Sequence, residues 1–154
     1  MFEHALAALE NLPAVAALRE STLVYPFVNA AHLIGIALLF GAIVPLDLRL
    51  VGWRRGAGAV DQLSSLLLPV AIFGFALAAG AGLLLFATDA RAYAASPLFQ
   101  AKMVLIALAL ANALALRAID WRGARSSRRV AIAGAASVAL WLAVIVLGRL
   151  VGYF

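Results

Sequence analysis

Three side chains in the stretch YPFVNAAHLIG have the types and the spacing for chemistry: Tyr25, Asn29 and His32. Steps of four and then three residues stack them on one side of an α-helix. The run from Leu23 to Leu46 is otherwise almost unbroken apolar sequence, so an imidazole and an amide stand where water is scarce. An ionisable residue in such a place is costly and faces the interior of a helix bundle. Three chemistries are open to His32. It is a candidate haem ligand, which would want a second axial partner, His or Met, on a facing helix. It is a candidate copper ligand together with Met103, since imidazole and thioether both suit copper. Or its ring bonds Asn29, a backbone carbonyl or a neighbouring helix and holds helices together. Haem b or copper would be the cofactor of the first two readings.

Other polar groups converge on the same end. If the apolar runs alternate across a bilayer, the helix opening near Leu98 starts at the face that holds Tyr25. Lys102 and Met103 then lie about 6–8 Å below that face, at about 1.5 Å per residue. The turn Thr88-Asp89-Ala90-Arg91 closes the same end. A polar pocket built from Tyr25, Asn29, His32, Asp89, Arg91 and Lys102 is geometrically allowed and would suit a small ligand. Lys102 also has a plainer reading, an ammonium that snorkels up to the interface. At the opposite end Asp47 and Arg49 close one helix while Arg117 and Asp120 close another. Ion pairs Asp47–Arg117 or Asp120–Arg49 would fix their register. Asn112 reads as an interhelical hydrogen-bond donor. No nucleophile elbow, phosphate loop, paired-carboxylate site or zinc motif occurs, and the chain has no cysteine. An enzymatic reading therefore has no motif to rest on.

The elements that must position these groups follow from composition. The chain has 154 residues, 66% hydrophobic and 12% charged, with a mean hydropathy of +1.06. That much apolar surface makes the bilayer the expected solvent, and about 20 apolar residues suffice to cross it. Four windows qualify, roughly 22–47, 63–87, 98–117 and 129–151. The expected fold is all-α: a polytopic membrane protein with four antiparallel spanning helices in a single membrane domain. Residues 1–21 read as a short amphipathic surface segment broken near Asn11-Leu12-Pro13, with Asn11 as an N-cap and Pro13 in the turn that follows. Pro69 falls in the first two turns of the second span. Two interleaved small-residue pairs, Ala76/Gly80 and Ala78/Gly82, mark that helix, and Ala131, Ala135, Ala139 and Ala143 form a stripe on the fourth. Small residues let helices approach closely.

The net charge of +5 belongs to helix ends and gives no nucleic-acid signal. Arg49, Arg54, Arg55 and Arg117, Arg122, Arg125, Arg128, Arg129 flank the first and third connections. Arg19, Arg91, Lys102 and Arg149 are left for the other side. The richer side is cytoplasmic by the positive-inside rule, so both termini are expected outside. Glu3 and His4 stand where a signal peptide would be basic, and Glu10 interrupts the first apolar stretch. The first spanning helix is thus expected to direct insertion itself.

The residues Tyr25-Pro26, His32, Gly35, Gly41, Asp47-Leu48-Arg49-Leu50 and Gly52 form a pattern, continued by Thr88-Asp89-Ala90, Tyr93, Pro97, Phe99, Lys102 and Asn112. This pattern resembles an uncharacterised family of small bacterial four-helix inner-membrane proteins. It is more distantly similar to the copper-resistance D type and, in its intramembrane His, to diheme b-type cytochromes. The resemblance implies a multi-pass helical bundle of the bacterial inner membrane, in which the outside termini expected from the Lys and Arg count are periplasmic, and it brings no established activity. Three functions stay open on the sequence. One is a non-catalytic accessory or structural subunit, surrounded by lipid and packed against copies of itself or a larger complex. A second is a redox or metal-handling protein using His32. The third is a small transporter or sensor with the outer polar pocket.

Overall fold

A computed structural model describes residues 2–52, 59–118 and 128–153, all helix and short turns, with no strand among them. Two short helices open the chain, α1 (Phe2–Glu10) and α2 (Pro13–Glu20). Long helices follow, α3 (Val24–Val51) and α4 (Ala59–Thr88), then the single-turn α5 (Ala90–Ala95), α6 (Pro97–Ala118) and α7 (Arg128–Leu150). Four of these are long and apolar enough to cross a membrane: Val24–Val51, Gln62–Thr88, Pro97–Arg117 and Arg128–Leu150. The chain is an all-α, multi-pass membrane protein. Its exposed faces are apolar, with Phe27 73% and Phe73 62% exposed. Water would punish that arrangement and hydrocarbon rewards it.

The boundaries moved where local chemistry allowed. The first span continues through Pro45 to Val51 and ends at Gly52, whose φ of 102° is open to glycine and strained for other residues. The helix α4 begins before the apolar window, so Pro69 lies well inside it rather than in its first two turns. The break after α1 falls where it was expected, but Asn11 does not cap α2. Leu12 occupies that position without a side-chain bond, and the Asn11 amide donates to Ala7 O at 2.8 Å, closing α1 instead. The polar turn after Thr88 holds a further helix, α5, because ARAYAA is rich in good helix formers. It stops at Ser96, extended at ψ 119°, as a residue before proline must be.

The chain divides into two compact units. The first comprises Met1–Leu39 and Val70–Ser96. Its core holds Leu6, Val15, Leu18, Leu39, Ala71, Ala78, Ala81, Ala87 and Ala90. Here α3 and α4 run antiparallel, Leu39 meeting Gly74 while His32 meets Gly82. The second comprises Phe40–Pro69 and Pro97–Phe154. Its helices α6 and α7 are antiparallel neighbours, joined by the Asn112 amide donating to Ala133 O at 3.0 Å. Val130, Gly134, Ser137, Trp141 and Val144 are the buried row of α7. Their alternating steps of four and three residues put them on one face, and on that face Gly134 meets Asp47 and Leu50 of α3 while Ser137 meets Asp47. The Ala135 and Ala139 positions of the expected alanine stripe are exposed.

Candidate functional site

The first unit holds two polar constellations, one inside the spans and one at their ends. Inside, α3 and α4 approach so closely that a Cβ on Gly74 would lie 2.5 Å from Leu39 N and 2.8 Å from Gly35 O. One on Gly35 would strike the backbone of Ala78 and lie 2.8 Å from Gly74 O. Only glycine fits at either position without the two backbones moving apart. One turn along, His32 Nδ1 is 2.7 Å from Ala78 O. A carbonyl can only accept, so Nδ1 carries the proton and donates. The imidazole lies on Gly82, where a Cβ would come within 2.9 Å of Cε1 and 3.2 Å of Nδ1. Gly82 is small because the histidine ring occupies its side-chain space.

At the ends of the same helices, the short N-terminal helices are tied to α5. The buried Glu10 carboxylate accepts from the Arg91 backbone N–H and from Arg91 Nε, both at 2.8 Å. The Arg91 backbone bond is the main reason the Glu10 carboxyl sits below the usual carboxylate range; burial opposes the shift, and the Arg91 side chain and Arg19 reinforce it. Glu10 thereby does what the residue before α5 would ordinarily do. Asp89 stands at that N-cap position and makes no capping bond. Ser21 Oγ accepts from Val24 N at 2.9 Å, which opens α3 and places Tyr25 in its first turn. Arg19 Nη1 reaches Thr88 O at 3.4 Å. Between these elements lies an open cleft of about 460 Å³ lined by Arg19, Tyr25, Thr88, Asp89 and Tyr93. Burial, then the neighbouring Tyr25 and Asp89, raise the Tyr93 hydroxyl above its ordinary pKa and keep it a neutral donor.

No family model, curated protein or solved structure matches this chain.

Of the six pocket residues expected from the sequence, Tyr25 and Asp89 line the cleft. Arg91 stands beside it, engaged with Glu10, and His32 is held at the helix crossing. Asn29 is exposed on α3. Lys102 belongs to the second unit, where its side chain would lie 3.7–3.8 Å from a Cβ added to Gly148 and its Nζ is 5.6 Å from the Phe99 ring centroid. Met103, the partner considered for His32 in copper binding, is 48% exposed on α6 in that unit as well. Among the described residues no group of three His, Asp or Glu side chains could hold a metal ion.

The second unit has its own buried polar pair. Asp47, 5% exposed, is hydrogen-bonded to Ser137, 4% exposed, and its Oδ2 has no partner among the described residues. The partner that Asp47 meets is thus the Ser137 hydroxyl, while Arg117, expected as its ion-pair partner, is exposed. Asp120, Arg54, Arg55, Arg122 and Arg125 lie outside the described residues.

Glu10, Arg19, Thr88, Tyr93 and Ser137 were not anticipated as site residues. Two of them carried a signal. Glu10 follows Leu6 by four residues and shares its buried face. Ser137 continues the row of Val130, Gly134, Trp141 and Val144. Both spacings are visible in the sequence. The cleft residues come from three separate segments, and no spacing connects them.

Proposed function

We propose that this chain is a structural or accessory subunit of a membrane assembly, and that its first partner is a second copy of itself. The observation behind this reading is the division of the two interleaved small-residue pairs on α4. Ala78 and Gly82 are spent inside the chain, on α3 and His32, whereas Ala76 and Gly80 are exposed, with nothing within 4 Å of a Cβ on Gly80. An outward small-xxx-small pair flanked by exposed Phe73 and Leu83 is the form of a self-complementary helix interface in lipid. The polar groups of the spans support the same reading, since His32 and Asn112 are committed to carbonyls of neighbouring helices. We assign such an assembly to a bacterial inner membrane on the resemblance of the Tyr25–Gly52 stretch, and orient it by the positive-inside rule, with the Arg-rich connections cytoplasmic and both termini periplasmic.

The chain has no cysteine, so single cysteines report contacts cleanly. Oxidation of Ala76→Cys or Gly80→Cys protein in membranes should give a disulfide-linked dimer, and Leu108→Cys, exposed on α6, should not. Gly80→Leu in the Ala76→Cys background should abolish the dimer. A dimer indifferent to Gly80→Leu would overturn the reading. Loss of a different co-purifying protein in Gly80→Leu would replace the second copy with that partner. The redox alternative is separated by an absorption spectrum of the purified protein: a subunit shows no haem band and no stoichiometric copper that His32→Ala removes.

A further inference from the structure

We infer that the cleft at the ends of α3 and α4 binds a zwitterionic phosphate–ammonium headgroup of the phosphoethanolamine type. The cleft lies at the apolar boundary of two spans, one opening at Val24 and the other closing at Thr88. That is the level at which a bilayer carries its headgroups, and where tyrosines gather. Its lining holds one cation, Arg19, and one anion, Asp89, with two tyrosines and a backbone carbonyl between them. Both charged residues are exposed.

The two charges have different duties. Arg19 leans on Thr88 O only at 3.4 Å, a long bond that leaves guanidinium donors for a phosphate, which they suit in pairs. Asp89 occupies the N-cap position of α5, yet the Arg91 N–H it would cap is taken by Glu10. A carboxylate relieved of its local duty accepts N–H donors from a primary ammonium. A trimethylammonium has no such donors, and a glycerol headgroup has no positive charge to offer. Tyr93, a neutral phenol that burial and then Tyr25 and Asp89 move further from ionisation, donates to the phosphate or faces the ammonium with its ring. The neighbouring Leu23 and Phe27, 70% and 73% exposed, give acyl chains an apolar flank along α3. The headgroup chemistry is shared by a membrane lipid and by its water-soluble glycerophosphoester.

Native mass spectrometry of the detergent-solubilised full chain tests this. The probes are phosphatidylethanolamine, phosphatidylcholine and phosphatidylglycerol with matched acyl chains. The wild-type protein should retain the ethanolamine lipid preferentially. Asp89→Asn should lower that retention about tenfold, equivalent to about 1.4 kcal/mol, and leave phosphatidylglycerol retention unchanged. Arg19→Gln should lower retention of all three lipids, and Glu3→Gln, exposed on α1, of none. Tyr93→Phe, which keeps the ring, is the second variant should either charge change disturb folding by circular dichroism; it should weaken retention without loss of helix. Displacement of the lipid by glycerophosphoethanolamine at equal concentration supports the site and assigns it to the soluble ester. Resistance supports it and assigns it to the bilayer lipid. Equal retention of the three headgroups, or an Asp89→Asn protein that still prefers ethanolamine, would overturn the inference.

Discussion

Replacing Gly74 by alanine adds one methyl group and should cost the protein more than a typical surface change. The added Cβ would lie 2.5 Å from Leu39 N, whereas ordinary van der Waals contact begins near 3.4 Å, so α3 and α4 must part locally by the difference, 0.9 Å. The obstacles are backbone atoms, which cannot rotate aside. Overpacking of this kind costs about 1–3 kcal/mol. The same movement lengthens the bond from His32 Nδ1 to Ala78 O, now 2.7 Å, towards the limit of hydrogen bonding. Interhelical bonds in membranes are worth about 0.6–2 kcal/mol. Against this, alanine gains about 1 kcal/mol of helix propensity over glycine. The net is a loss of roughly 2 kcal/mol, or about 4–8 °C in melting temperature for a chain of this size. Gly41→Ala is the matched control, because nothing lies within 4 Å of its Cβ. There the propensity gain acts alone, and stability should hold or rise. Thermal unfolding in detergent, followed by circular dichroism, measures both. A Gly74→Ala protein as stable as Gly41→Ala would refute the close crossing and with it the structural role of His32.

Other consequences follow from single bonds. The Glu10 carboxyl is held below its ordinary value of 4.5 by the Arg91 backbone bond foremost. A depressed carboxylate stabilises the fold fully above its unfolded value, and that contribution is lost as pH falls through the folded one. Amide protection factors in α1 and α2, which correct for the intrinsic slowing of exchange in acid, should therefore stay high at neutral pH and fall below about pH 4.5. Glu10→Gln should show low protection at both, and an unchanged variant would mean that Leu6, Val15 and Leu18 dock the segment unaided. Asn112→Ala removes the donor to Ala133 O and should destabilise the α6–α7 pair by about 1 kcal/mol in the same melting assay. No change there would mean that apolar packing between α6 and α7 alone sets their register.

Composition and hydropathy alone determined that this is a helical, multi-pass membrane protein with four spans, because apolar runs of about 20 residues match a helix that satisfies its own backbone in hydrocarbon, where a barrel strand needs about half that length. The positions of Gly82 and His32 were legible too, but not their relation. The sequence offered copper, haem and interhelical bonding for the histidine, and the crossing of α3 over α4 set its ring on Gly82 and its proton on Ala78 O. The cleft was half legible. Tyr25 and Asp89 stand out as polar residues at span ends, while Arg19, Thr88 and Tyr93 join them only through tertiary packing. Glu10 shows why. Its spacing from Leu6 assigns it to a buried face, but a buried carboxylate is tolerable only with a partner, and that partner lies 81 residues away. Periodicity reports which side of a helix is inward. Which groups meet there depends on how the helices cross, and that is decided by packing.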